Sequence, residues 1–411
     1  MIPERSADTM HCTRFAGLLT ILCLLPALTV PAISQVRYYD EIFPEVTLTG
    51  SIQFGSAPSI YSSSEKLRLD LYQPTGDVEM LRPAIVFIHG GGWSGGQRNE
   101  MQPWCQTFAR RGYVTVTIDY RTGIWKPTFA YTFEAGLRAN QDVRAAVRWL
   151  RANAALYRID ARRIFLGGAS AGSMAALLAA YLDDDEIPAG VDTVKWGNAE
   201  GRSGSPGFSS QVQGVLNYCG AILDTLYMDA GEAAVASFQG MADPLVPFGS
   251  AKSPDFGFVI HGSAPITRTA QRLGITTALA GIPDMGHGVP DQAMMDSLIR
   301  FERNFLYLLI STQVGVERLG QGQPNSYGLL QSYPNPFNAA TTICYLLPHE
   351  SEIALAVHAV DGRRVALLEQ GRRSAGEHTV HWQAGDLATG VYIVSLHADG
   401  LVLSQRVTLI K

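Results

Sequence analysis

Ser170 stands at the centre of Gly168-Ala169-Ser170-Ala171-Gly172, with the apolar run Ile164-Phe165-Leu166 before it and a small-residue helical pattern after it. A serine on a sharp strand-to-helix turn is held in strained backbone geometry, and the residues two before and two after it must be small for strand and helix to approach. Gly168 and Gly172 meet that demand. Upstream, Ile85-Val86-Phe87-Ile88 runs into His89-Gly90-Gly91-Gly92-Trp93. A glycine-rich loop after a strand can aim backbone N–H groups at an oxygen that gains negative charge. The expected donors are Gly91 and Gly92, with Ala171 supplying a third amide from the first turn of its helix. The chemistry these residues could do is acyl transfer to a serine hydroxyl. Trp93 is expected either to line the substrate pocket or to pack in the core.

A hydroxyl is a weak nucleophile at neutral pH, so a histidine must take its proton and a carboxylate must hold that histidine in the right tautomer. Only His261 and His287 lie between Ser170 and the polar stretch that begins at Gln313. His287 occupies Asp284-Met285-Gly286-His287-Gly288, a turn-rich loop between a strand and the last long helix, and is the expected base. His261 lies in a stretch with no partner pattern. Asp243 follows the strand Val235–Gln239 through Gly240-Met241-Ala242 and precedes Pro244, which puts it at the carboxyl end of a strand, where the acid is expected. Asp224 is the second candidate, and Asp229, Asp255 and Asp284 read as turn or cap residues. With no H-E-x-x-H and no cysteine pair at ligand spacing, neither a metal nor a cofactor is expected. The acidic run Asp183-Asp184-Asp185-Glu186 reads as a solvated loop rather than a calcium site.

Such a constellation needs strands that end together. From Ser51 to Ile310 short β-branched or aromatic runs alternate with longer amphipathic patterns, the signature of an α/β fold: a doubly wound, mostly parallel sheet with helices on both faces. Expected strands include Ile85–His89, Tyr113–Ile118, Arg163–Leu166, Val215–Cys219, Val235–Gln239 and Thr276–Ala280. Val143, Val147 and Leu150 recur at helical spacing with Arg144, Arg148 and Arg151 opposite, as in a covering helix with one dry side. The segment Asp183–Gly207, rich in Asp, Gly, Ser and Pro, reads as a surface excursion. After Gln313 the composition turns to Gln, Gly, Pro, Asn and Ser, and beyond it period-two alternation predicts a small all-β sandwich.

Four segments are therefore expected: a signal peptide at 1–34, a catalytic domain at 35–312, a linker at 313–328 and a β-sandwich at 329–411. The apolar run Phe15–Val30 behind Arg14 is short for a bilayer span, contains Pro26 and precedes small residues of a processing site, so no membrane span is expected in the mature protein. The net charge of -5 comes from mixed signs with no basic run, which excludes nucleic acid as an expected partner. Removing the leader leaves Cys105, Cys219 and Cys344. Buried thiols are the preferred reading over a Cys105–Cys219 bridge.

With Pro83–Trp93, Gly112-Tyr113 to Asp119-Tyr120-Arg121, Asp142–Leu150 and Gly167–Gly172 in this order, the chain resembles the α/β-hydrolase superfamily. It is most similar to bacterial esterases and hormone-sensitive-lipase-like enzymes that carry His-Gly-Gly-Gly-Trp with Gly-x-Ser-Ala-Gly. The resemblance implies ester hydrolysis through an acyl-enzyme, with Ser170 as nucleophile, His287 as general acid and base and Asp243 as its orienting carboxylate. It also implies small-molecule or polysaccharide-linked esters as substrates, including acetyl or feruloyl esters of plant polysaccharides. A serine peptidase of the same fold and a non-catalytic surface adhesin are the alternatives. Tyr333-Pro334-Asn335-Pro336-Phe337-Asn338, Asp361-Gly362-Arg363 and Gly390-Val391-Tyr392 resemble a type IX secretion sorting domain, which implies the type IX secretion machinery as partner and a secreted or cell-surface location. A carbohydrate-binding module, supported by Trp382 and Tyr392, is its rival.

Overall fold

The computed structural model describes residues 35–410 apart from 127, 290, 319–326, 330, 331, 333, 334 and 400. The expected leader, half of the expected linker and the Tyr333-Pro334 pair lie outside the described residues.

In chain order the strands of the first region are β1 (Val46–Ala57), β2 (Glu65–Pro74), β3 (Arg82–Ile88), β4 (Val114–Ile118), β5 (Ile159–Ala169), β6 (Gly214–Tyr218), β7 (Ala234–Gly240), the short hairpin β8 (Ser250–Lys252) and β9 (Val259–His261), and β10 (Thr277–Ile282). Its helices are α1 (Gln102–Ala109), α2 (Phe129–Ala152), α3 (Ala154–Tyr157), α4 (Ala171–Tyr181), α5 (Thr193–Trp196), α6 (Ser263–Leu273) and α7 (Gln292–Arg318). Among the described residues, one eight-stranded sheet has the order β1-β2-β4-β3-β5-β6-β7-β10. β2 runs antiparallel to β1 and β4, and every pairing from β4 to β10 is parallel. The doubly wound α/β fold read from the sequence is therefore present. Helix α7 continues into the stretch read as linker.

A parallel strand covered on both faces reads as a continuous apolar run, because each face must meet a helix. In β3, Val86 and Ile88 join one core with residues of α2, α4 and α6, while Ile85 and Phe87 join a second with residues of α1 and α7. Helix α2 departs from expectation. Its arginine face, read as wet, is covered by the excursion that follows α4. Arg148 donates to the carbonyls of Glu200 (2.9 Å) and Ser203 (2.6 Å), and Arg144 donates to those of Ala179 (3.2 Å) and Leu182 (2.7 Å). Guanidinium groups can do this because their fork satisfies several carbonyls of an irregular segment at once. Beside them Arg121 and Asp142, both almost fully buried, form an ion pair at 2.9 Å that ties the loop after β4 to α2.

The tail holds β11 (Gly328–Leu329), β12 (Ala340–Leu347), β13 (Ser351–Ala359), β14 (Arg364–Arg373), β15 (Gly376–Gln383), β16 (Gly390–Ala398) and β17 (Leu401–Leu409). They form two antiparallel sheets, β11-β12-β15 and β14-β13-β16-β17, around a core that includes Phe337, Tyr345, Leu355, Val394 and Val407. Trp382 is buried between Phe337 and Tyr392, at ring-centroid distances of 5.1 and 6.0 Å. These two aromatics pack the sandwich and offer no sugar platform, which removes the support for a carbohydrate-binding module.

Candidate active site

The turn from β5 into α4 puts Ser170 at φ 53°, ψ -121°, in the left-handed half of backbone space that a residue with a Cβ enters only under constraint. The neighbours explain the two glycines. A Cβ on Gly168 would lie 2.5 Å from the carbonyl carbon of Gly172, and one on Gly172 would lie 2.2 Å from the carbonyl oxygen of Ile88. The amide of Ser170 donates to the carbonyl of Tyr218 at 2.9 Å, which fixes the turn to the end of β6.

His287 sits on the loop between β10 and α7, its Nε2 3.0 Å from Ser170 Oγ. Its Nδ1 lies 2.7 Å from Asp243 Oδ2. The pair of distances suits the neutral tautomer in which Nδ1–H donates to the carboxylate and Nε2 accepts the serine proton. The second oxygen of Asp243 accepts the amides of Leu245 and Val246, each at 2.9 Å. Burial pushes this carboxyl up, but the hydrogen bonds from His287, Val246 and Leu245 outweigh it and hold Asp243 below its ordinary pKa. The imidazole moves the other way. The hydrogen bond to Asp243, and after it the adjacent Cys219 thiol, raise the pKa of His287 against the opposing effect of burial. The acid loop and the histidine loop also brace each other: Met241 donates its amide to Ile282 at 2.9 Å and Ala242 donates to Met285 at 3.1 Å.

The glycine loop after β3 wraps a buried aromatic pair. His89 stacks on Tyr120 with centroids 4.3 Å apart, and the Tyr120 hydroxyl donates to the carbonyl of His89 at 3.1 Å. Burial lowers the pKa of His89, keeping it neutral. Gly91 at φ 109° and Gly92 at φ 60° take backbone geometry that favours glycine. A Cβ on Gly90 would lie 3.5 Å from the Cβ of Ser170, so the loop rests against the Ser170 turn. Among the described residues the amides of Gly91, Gly92 and Ala171 donate to no protein acceptor. They are available to an oxyanion.

Trp93 does not line a pocket. It has 0% exposure, donates its indole N–H to the carbonyl of Ala171 at 2.9 Å and stacks on Phe256 with centroids 5.5 Å apart. The competing histidine is also occupied elsewhere: His261, in β9, hydrogen-bonds Ser250 Oγ at 2.8 Å. Asp224 caps a short turn by accepting the amide of Leu226 at 2.9 Å. Cys105 and Cys219 are buried thiols, and Cys344 is partly exposed. The strand pattern over Val215–Cys219 does not by itself assign Tyr218 and Cys219 to the site, where Tyr218 holds the Ser170 amide and Cys219 adjoins His287; their place at the carboxyl end of β6 is the signal that does. Among the described residues no cluster of three or more His, Cys, Asp or Glu could hold a metal ion, and no helix is long and apolar enough to cross a membrane.

Comparison with known proteins places this geometry in context. Residues 69–222 match the BD-FAE family, a segment that spans the glycine loop and the Ser170 turn and ends before Asp243 and His287. Residues 331–410 match the secretion system C-terminal sorting domain. The chain is 31% identical over 154 residues to a probable isoprenylcysteine alpha-carbonyl methylesterase of Oryza sativa subsp. japonica, covering 37% of this chain and 32% of that one. It is 35% identical over 104 residues to carboxylesterase NlhH of Mycobacterium tuberculosis, covering 25% and 30%. It thus spans about a third of the length of these curated relatives. A solved structure of Thermogutta terrifontis esterase 2, phosphorylated by paraoxon, is similar at 22% identity and a TM-score of 0.48, over 67% of this chain and 98% of that one. One chain thus carries a region that matches BD-FAE and a tail that matches the secretion system C-terminal sorting domain, and that tail marks it for export to the cell surface or the medium.

Proposed function

We propose that the protein is a secreted serine carboxylic ester hydrolase that cleaves short acyl esters through an acyl-enzyme. The observation that carries this reading is the line Asp243–His287–Ser170, with contacts of 2.7 and 3.0 Å beside unoccupied backbone donors. Ser170 Oγ attacks the ester carbonyl while His287 Nε2 takes its proton. Asp243 holds the imidazole through Nδ1 and stabilises the imidazolium that forms. The amides of Gly91, Gly92 and Ala171 receive the charge that builds on the carbonyl oxygen, each donor contributing on the order of 3 kcal/mol of transition-state stabilisation. His287 then returns the proton to the departing alcohol, and water repeats the sequence to release the acid.

The same proposal takes 35–312 as the catalytic domain, with a removable leader before it and the sorting sandwich 329–411 behind a linker. Acetyl and feruloyl esters of plant polysaccharides are the proposed natural substrates. The test is a chain-length series of nitrophenyl esters, then acetylated xylan, feruloylated arabinan and a synthetic polyester. Turnover by the wild type and its loss in Ser170→Ala are expected. Equal rates from the two proteins would overturn the assignment, and failure of a fluorophosphonate probe to label the wild type would favour an adhesin.

A further inference from the structure

Three residues after the nucleophile, Ser173 has no exposed surface, and its hydroxyl lies between two strands. The last amide of β6, that of Tyr218, donates to Ser173 Oγ at 2.9 Å. Ser173 Oγ in turn donates to the carbonyl of Gly168 on β5, and the carbonyl of Tyr218 lies 3.1 Å from the same oxygen. One hydroxyl has a single proton to give and two lone pairs to receive, so these partners use its capacity almost fully. The β5–β6 ladder is parallel and closes at Gly168–Asn217 and Ala169–Tyr218, the point where the chain leaves the sheet to form the Ser170 turn. The hydroxyl therefore bridges the two strands at their last rung. It also acts on the residue that matters most there, because the carbonyl of Tyr218 accepts the amide of Ser170 at 2.9 Å. The packing leaves room for nothing larger nearby: a Cβ on Gly220 would lie 2.3 Å from the Cβ of Ser173.

We propose that Ser173 is a positioning residue for the nucleophile, an inference that rests on the esterase reading above. Its hydroxyl accepts the amide of Tyr218 and gives its one proton to the carbonyl of Gly168, pinning the ends of β6 and β5 on either side of the Ser170 turn, and so sets the strained backbone from which Ser170 Oγ reaches His287 Nε2. Without the bridge, the turn relaxes and the hydroxyl–imidazole contact lengthens. Misplacement of a reacting group by about 1 Å lowers rate by roughly 100-fold.

The experiment compares wild type, Ser173→Ala and Ser173→Cys as full-length purified proteins. Active sites are counted by the end-point of fluorophosphonate labelling, and kcat and KM for a nitrophenyl ester are then expressed per labelled site. Positioning predicts that Ser173→Ala reaches full labelling but labels roughly 10- to 100-fold more slowly, with kcat lower by the same factor and KM within about threefold. Ser173→Cys, whose sulfur is larger than the hydroxyl oxygen but keeps a weak S–H donor, is expected between the two and gives the same readout if the alanine variant does not fold. A merely structural role would lower the number of labelled sites and leave kcat per site intact. That outcome, or a kcat per site within twofold of wild type in whichever variant folds, overturns the proposal. If the wild type itself neither labels nor turns over ester, it is the esterase reading that fails.

Discussion

The indole N–H of Trp93 meets the carbonyl oxygen of Ala171 at 2.9 Å, joining residues 78 positions apart. Trp93 follows Gly91 and Gly92, and Ala171 follows Ser170. The bond therefore ties the glycine loop to the Ser170 turn. Because the ring is fully buried, Trp93→Phe loses one hydrogen bond and leaves a small void, and should lower stability by about 1–3 kcal/mol. Urea denaturation measures this. The order of preference along a nitrophenyl ester series should stay the same, and a reordered series would return Trp93 to the pocket wall.

The acid limb of the pH profile should lie above the ordinary histidine value of about 6.5. The Asp243 hydrogen bond raises the His287 pKa, and the base works only when neutral, so kcat/KM falls as pH drops through the raised value. Asp243→Asn removes the charge that favours the imidazolium, moves that limb to lower pH and lowers kcat by about 10⁴-fold. Initial rates from pH 5 to 10 check both the sign and the size.

Two glycine substitutions separate close packing from backbone strain. Alanine at Gly172 would place its Cβ 2.2 Å from the Ile88 carbonyl oxygen, displacing β3 or the nucleophile turn, so activity should be lost together with a fall in Tm. Gly274, the left-handed residue that ends α6, has no atom within 4 Å of its would-be Cβ. Gly274→Ala should cost only about 1–2 kcal/mol and leave ester turnover per labelled site unchanged.

Glu302 on α7 is buried with one carboxylate oxygen lacking a hydrogen-bond partner among the described residues, and burial pushes its pKa up to about 8. Between the unfolded value near 4.5 and about 8, the folded state holds a proton that the unfolded state has lost. Stability should therefore fall across that window as pH rises. Glu302→Gln, neutral throughout, should raise Tm at pH 8.5 by roughly 2–4 °C for each kcal/mol recovered and change little at pH 4.5. Thermal scans at the two pH values decide it.

What could be read from the residues alone was whatever obeys a period or a strand-end rule. Ser170, Asp243 and His287 each follow a recognisable apolar run, and parallel strands bring their carboxyl ends to one edge. The face of α2 carrying Arg144 and Arg148 misleads because helical periodicity reports polarity, and polarity cannot tell water from the carbonyls at the end of α4 and in the irregular segment after it, 35 to 55 residues later. Trp93 was undecidable for a similar reason: an indole suits a core and a pocket equally. β2 is not legible in this way although Leu67, Leu69 and Leu71 alternate with polar residues, since its antiparallel place between β1 and β4 falls outside the βαβ rhythm. Ser173 left no mark because a lone small polar residue inside a helix carries no pattern.

The final strand of the tail is a working part of its architecture. β17 pairs with β16 from Gly390–Leu409 to Ala398–Leu401, sinks Val407 and Leu409 into the sandwich, and exchanges backbone hydrogen bonds with Phe337 through Thr408 and Ile410. Its neighbour β16 lies within about twenty positions in sequence while Phe337 lies about seventy positions upstream, so this strand joins a near partner to a far one and closes the sandwich only when both are in place.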